Sequence, residues 1–255
     1  MHTKSTKTPS YLYRYLSLNA DNAKDIEDMF IFNLLYFQSS EQFNDPFDCK
    51  IPINFDGSPD EYRIRLDEVY RWSLPELDEA QRKQEIERFI SLGTYKEFSK
   101  KWIERRAKVT GVLCLTEEKN NILMWSYYAS SHTGFCLEFA TDSPFFERVK
   151  DVRYHDNYPE VSFVKSSYEE IEDVLFFIKA SAWRQEKEWR LFNMVQPSRL
   201  LVFPRNMLTG VIFGCQMNNV DKEKIIEWIK KGQLSPKLFQ AKKRKERFGL
   251  DIIPL

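Results

Sequence analysis

Aromatic and aliphatic positions open the chain in a short alternating block, Tyr11-Leu12-Tyr13-Arg14-Tyr15, which predicts a strand. A helix is expected at about residues 20–30, with Asn19 or Asp21 as its candidate cap. Leu34-Leu35-Tyr36-Phe37 predicts a second strand, ended by Gln38-Ser39-Ser40 and the turn-forming run Phe43-Asn44-Asp45-Pro46-Phe47-Asp48-Cys49. From residue 59 to 108 the pattern changes. Glu, Lys and Arg dominate, with apolar residues at near-helical spacing (Ile64, Leu66, Val69, Tyr70; Ile86, Phe89, Ile90; Phe98, Trp102) and breaks at Pro75 and Gly93. This stretch predicts three surface helices, an insertion or lid packed on a sheet.

Beyond it, strands are expected at 111–116, 134–139 and 152–154, with a short helix at about 121–130 between the first two. A helix over roughly 166–181 leads to strands at 187–193, 199–203 and 211–214. The helix at 221–231 carries Ile225, Ile226 and Ile229 on one face, and a strand pair near 238–243 and 249–253 follows. Strands often succeed one another without a crossover helix, so the expected class is α+β: a mixed, mostly antiparallel sheet flanked by helices, with a charged helical insertion. One domain over 1–255, with 59–108 inserted, is the economical organisation.

Composition narrows the chemistry. Only 8 glycines occur in 255 residues, and neither a G-x-G-x-x-G nor a P-loop sequence is present, so the common glycine-rich phosphate loops are excluded. Lys and Arg total 38 against 38 Asp and Glu, which argues against a chain built mainly to coat nucleic acid. Four cysteines without a C-x-x-C pair, and three histidines, leave no zinc pattern, and no metal is expected. Cys114, Cys136 and Cys215 sit in apolar runs, as free thiols do in a reducing cytosol. The polar first ten residues and the absence of a bilayer-length apolar run give the same expectation of a cytoplasmic protein without membrane attachment.

Four features carry candidate chemistry. In Glu186-Lys187-Glu188-Trp189-Arg190-Leu191, strand alternation turns Trp189 and Leu191 to a core and places Glu186, Glu188 and Arg190 on the opposite face. There a carboxylate beside a guanidinium can hold a sugar hydroxyl, although spacing alone favours an exposed ion pair. Trp125, Tyr128 and His132 share a helix edge as a possible ring-stacking wall, a pattern that more often belongs to a core. Asn44, Asp45 and Asp48 can hold hydroxyls or a metal, or simply close an Asx-turn. Lys242-Lys243-Arg244-Lys245-Glu246-Arg247 can meet phosphate, but reads more readily as a solvated hairpin.

Taken together, LYRY (12–15), NLLYFQSSEQFNDPFDC (33–49), VLCLTEEKNNILMWSYYASSHTGFCLEF (112–139), EKEWRLF (186–192) and VIFG (211–214) resemble a widespread bacterial family known as a domain of unknown function and often found in phage-defence contexts. The order of strand-borne residues is also distantly similar to the ADP-ribosyltransferase fold. That resemblance implies Arg14 on the first strand binding ribose or phosphate, Ser39 holding the nicotinamide ribose, and Glu188 as the catalytic carboxylate. No Ser-Thr-Ser triplet follows the second strand, a departure from the superfamily pattern. Cofactor contacts are expected from Tyr13, Asn44, Asp45, Trp125, Tyr128, His132 and Arg190, with NAD as the substrate.

Three functional expectations follow. The first is an NAD-consuming enzyme that transfers ADP-ribose to a protein or nucleic acid, or hydrolyses NAD, in anti-phage defence or a toxin system. The second is a non-catalytic module that senses a nucleotide, an RNA end or a phage protein, and the third is a metal-dependent nuclease using Asp45 or Asp48 with Glu188. The first requires Arg14 and Glu188 to share one face of the sheet.

Overall fold

A computed structural model describes residues 7–193 and 199–255. The chain divides into two compact units, the first formed by residues 1–38, 111–152 and 182–255 and the second by 39–110 and 153–181. The fold is α+β, and the strand pairings are mostly antiparallel. Among the described residues no helix is long and apolar enough to cross a membrane.

The first unit holds β1 (Tyr11–Leu16), α1 (Ala23–Phe32) and β2 (Leu34–Tyr36), with β3 (Gln38–Ser39) at its boundary. It continues with β4 (Gly111–Thr116), α5 (Ile122–Tyr128), β5 (Phe135–Ala140) and β6 (Lys150–Asp151). β9 (Glu188–Asn193), β10 (Leu200–Val202), β11 (Leu208–Phe213), α7 (Asn219–Lys231), β12 (Lys237–Lys243) and β13 (Leu250–Pro254) complete it. The main sheet runs β13-β12-β11-β5-β1-β4-β9-β6, and only the β11–β12 neighbours along this path are parallel. β2 pairs with β10 apart from it.

Alternation along these strands sorts side chains into two layers. On one face Leu12, Leu113, Leu115, Leu137, Trp189 and Leu191 pack with Ile26 and Phe30 of α1 and Ile225 and Ile229 of α7. On the other, Tyr13, Tyr15, Cys136 and Ile212 pack with Met124 and Trp125 of α5. The lysine- and arginine-rich run ends β12 and forms the β12–β13 turn, largely exposed, with Arg244 Nε donating to Asp251 Oδ1 at 2.7 Å, as expected of a solvated hairpin.

The second unit contains α2 (Pro59–Ser73), α3 (Glu79–Ser91), α4 (Tyr95–Val109), β7 (Arg153–His155), α6 (Tyr168–Phe177) and β8 (Ile178–Ala180). The charged stretch 59–108 is therefore three helices. Ser58, Asp78 and Ser167 open α2, α3 and α6 with reciprocal capping boxes to Glu61, Gln81 and Glu170, satisfying amides the helices leave unpaired. The apolar positions gather aromatics: Phe55 stacks on Phe163 at 5.5 Å, and Tyr62 stacks on the same ring at 5.9 Å. Arg106 is buried with its guanidinium 4.2 Å from the Trp72 ring and ion-paired to Glu172, so its charge is matched inside the unit. The helix expected over 166–181 ends at Phe177, and the β-branched Ile178 begins a strand that pairs in parallel with β7.

Candidate functional site

The register of the central strands decides which predicted residues meet. Tyr13 pairs with Glu138 on β5 and with Thr116 on β4, and Thr116 pairs with Glu188 on β9. Directly opposed residues share a face, so Glu138, Tyr13, Thr116 and Glu188 form one polar row across four strands. Arg14 is the next residue along β1 and points the other way, opposite Leu137 in the main core, where its Nη1 donates to the Tyr36 carbonyl at 3.1 Å. The expected Arg14–Glu188 pairing on one face is thus corrected: single-residue parity puts them on opposite faces. Desolvation lowers the Arg14 pKa to about 10, which still leaves it charged at neutral pH.

Ser39, in the second unit, is a helix cap. Its Oγ donates to the Lys108 carbonyl at 2.9 Å and accepts from the Glu41 amide at 3.3 Å. Asn44 is exposed, whereas Asp45 is buried and closes an Asx-turn through the Phe47 amide at 2.9 Å, leaving Oδ2 without a partner among the described residues. Asp48 is buried 3.5 Å from Lys179 in the same unit. Among the described residues no three His, Cys, Asp or Glu side chains gather as a metal site.

The expected aromatic wall is also corrected in part. Trp125 is fully buried, meets Tyr15 edge-on at 5.0 Å and donates from Nε1 to the Lys119 carbonyl. The helix stops at Tyr128, and Ser130, Ser131 and His132 follow at φ 46, 53 and 69°, so His132 returns over Trp125 with ring centroids 6.3 Å apart. Burial, and to a lesser degree Lys243, lowers the His132 pKa and keeps the imidazole neutral. Trp125 is core, whereas His132 is half-buried, its Nε2 3.2 Å from Ser126 Oγ. Tyr128 instead donates from its hydroxyl to Glu186 Oε1 at 2.6 Å.

β9 carries a buried polar group rather than an exposed ion pair. Arg190 clasps Glu188 with two hydrogen bonds, Nε–Oε1 at 2.7 Å and Nη2–Oε2 at 3.0 Å, and Arg190 is 0% and Glu188 5% exposed. Lys187, at φ 43°, kinks the entry to the strand and swings outward to Glu117 and Glu118, while the flanking Glu186 and Glu188 are both buried. Trp189 and Leu191 face the core, as alternation predicts.

At the other end of the polar row lies an open site within the same unit. Buried Glu138 accepts from Tyr13 Oη and Thr209 Oγ1, each at 3.1 Å, and lies 3.7 Å from Lys119 Nζ. Desolvation and the Glu138 charge push the Tyr13 pKa well up, so Tyr13 remains a donor. Opposite Glu138 on β11 stands Gly210; a Cβ there would approach Glu138 Oε1 to 3.1 Å, so the glycine leaves room for the carboxylate. Glu138 lines a cavity of about 520 Å³ with Tyr11, Arg205 and Lys237 at its rim and Leu208 and Leu234 in its wall. Arg205 donates to Gln233 Oε1 at 3.1 Å, and neither Arg205 nor Lys237 has a carboxylate partner among the described residues. An exposed ring, two cations and a buried carboxylate fit a stacked base, a phosphate and sugar hydroxyls respectively. Glu138 stood inside GFCLEF in the sequence, but nothing local marked it; its partners come from strands far along the chain.

A family model described as a protein of unknown function (DUF2971) matches residues 124–191. The matched segment begins in α5 and ends in β9, so it includes Tyr128, Glu138, Glu186, Glu188 and Arg190. No curated protein and no solved structure matches the chain.

Proposed function

We propose that this protein is a nucleotide-binding sensing module that does not cleave its ligand, with the Glu138 cavity as its site. The observation that carries the reading is the cavity itself: Arg205 and Lys237 at the rim without carboxylate partners among the described residues, over a buried carboxylate, beside the exposed Tyr11 ring. Guanidinium and ammonium together suit a terminal phosphate, and a carboxylate already fixed by Tyr13 and Thr209 retains lone pairs for ribose hydroxyls. The separation of Arg14 from Glu188, and the clasp of Arg190 on Glu188, weigh against the NAD-cleaving arrangement.

Thermal unfolding with AMP, ADP, NAD and adenosine, paired with chromatography for free nicotinamide, tests this. A ligand at a hundred times its Kd contributes about 2.7 kcal/mol, or roughly 5–10 °C in Tm for a chain of this size. The phosphorylated nucleotides are expected to give that shift, adenosine little, and Arg205→Ala with Lys237→Ala to remove it. No shift with any nucleotide refutes the reading. Nicotinamide release that Glu188→Gln abolishes would establish NAD cleavage instead.

A further inference from the structure

The second unit contains a cavity of its own, of about 460 Å³, within the size range of small-molecule sites. Its wall is apolar: Ile51, Ile103 and Leu175 are buried, and the half-buried Phe55 is held in place by its stack on Phe163. Its rim is charged. Glu41 matches Lys108 at 3.2 Å, so that pair is internally neutral. Lys100 stands 5.9 Å over the Phe55 ring, and neither it nor Lys50 has a carboxylate partner among the described residues. Glu104 also lies on the rim, so among the described residues two unmatched cations stand against one unmatched anion.

From this cavity we infer a second binding site, for an amphipathic organic anion: a carboxylate head at Lys50 and Lys100 on an alkyl body lying along Ile51, Phe55, Ile103 and Leu175. A purely polar anion gains nothing from that wall, and a neutral hydrocarbon leaves both lysines unused. Lysine suits the head group because an ammonium on a flexible stem meets a carboxylate as a point charge without demanding bidentate geometry. The site belongs to the second unit, and the inference does not rest on the nucleotide reading of the first.

Isothermal titration of the full chain with decanoate and decyltrimethylammonium below their micellar concentrations, and with decanol below its solubility limit, tests the inference. Decanoate is expected to bind one-to-one, decanol about tenfold more weakly and the cation more weakly still, because two exposed ion pairs together supply about a factor of ten. Lys50→Met with Lys100→Met, at exposed positions that leave the wall intact, is expected to bring decanoate down to the decanol level, whereas Lys245→Met on the β12–β13 hairpin of the first unit leaves it unchanged. Absence of decanoate binding, equal binding of the three probes, or binding indifferent to the two lysine substitutions overturns the proposal.

Discussion

Arg190→Met isolates the energetic role of the buried pair on β9. The substitution keeps most of the side-chain volume and removes the charge, leaving Glu188, 5% exposed, without the two hydrogen bonds at 2.7 and 3.0 Å. Breaking a buried pair from one side costs about 3–5 kcal/mol, since the remaining carboxylate keeps its desolvation penalty without its counter-charge. Both residues make further polar contacts, which places the expected value near the lower end, about 3 kcal/mol. For a chain of this length that corresponds to a Tm lowered by roughly 6–12 °C. Adding Glu188→Gln replaces the stranded charge by an amide, whose burial costs about 1–3 kcal/mol at most, so the double variant is expected to recover part of the loss. Calorimetry of wild type, both single variants and the double variant closes the cycle. If Arg190→Met costs less than about 1 kcal/mol, the magnitude of an exposed pair, or if the two substitutions simply add, the pair is not the buried, mutually dependent unit described above.

Three other outcomes follow from the structure. His132 has a folded-state pKa below its ordinary 6.5 because of burial, so the unfolded chain takes up the proton first. Stability is therefore full above about pH 6.5 and falls as the pH drops below it, and His132→Asn, which also tolerates the left-handed backbone, should flatten that part of the Tm–pH curve. Gly134→Ala would set a Cβ 2.2 Å from the Leu16 carbonyl oxygen, where backbone has no room to yield, so a loss of about 3 kcal/mol or more is expected in denaturant unfolding. Lys187→Gly relieves a positive φ while giving up exposed pairs to Glu117 and Glu118, and should change stability by under about 1 kcal/mol; Lys187→Val, β-branched at φ 43°, should cost more than that by the same measurement.

How much of this was legible in the sequence depends on the range of the interaction involved. Alternation in EKEWRLF correctly sent Trp189 and Leu191 to the core, because period-two patterning is local. The three helices of 59–108 followed from charge density and apolar spacing for the same reason. Arg14 and Glu188 could not be assigned to faces, since that needs two registers, Tyr13 with Thr116 and Thr116 with Glu188, set between distant segments. Burial of the Glu188–Arg190 pair was hidden too: spacing marks partners but not the dielectric around them. Helical spacing places His132 on one edge with Trp125 and Tyr128, whereas three successive left-handed residues fold it back onto the indole. The Glu138 cavity combines β1, β5, β11, β12 and the segments beside them, and no contiguous motif announces it.

The interleaving of the two units has a consequence for synthesis. The chain leaves one unit for the other at 38/39, 110/111, 152/153 and 181/182, so neither can be made from one uninterrupted segment. A ribosome that has released residue 181 has supplied every residue of the second unit, which can close at that point. The first unit then still lacks β9, the neighbour of β4, and β11, the neighbour of β5. Until those arrive, the nascent β4 and β5 have unfilled hydrogen-bonding edges and apolar side chains without their cover, the state most open to pairing with another chain. The order of emergence makes the first unit, with its Glu138 cavity, the last to form and the one most in need of protection during translation.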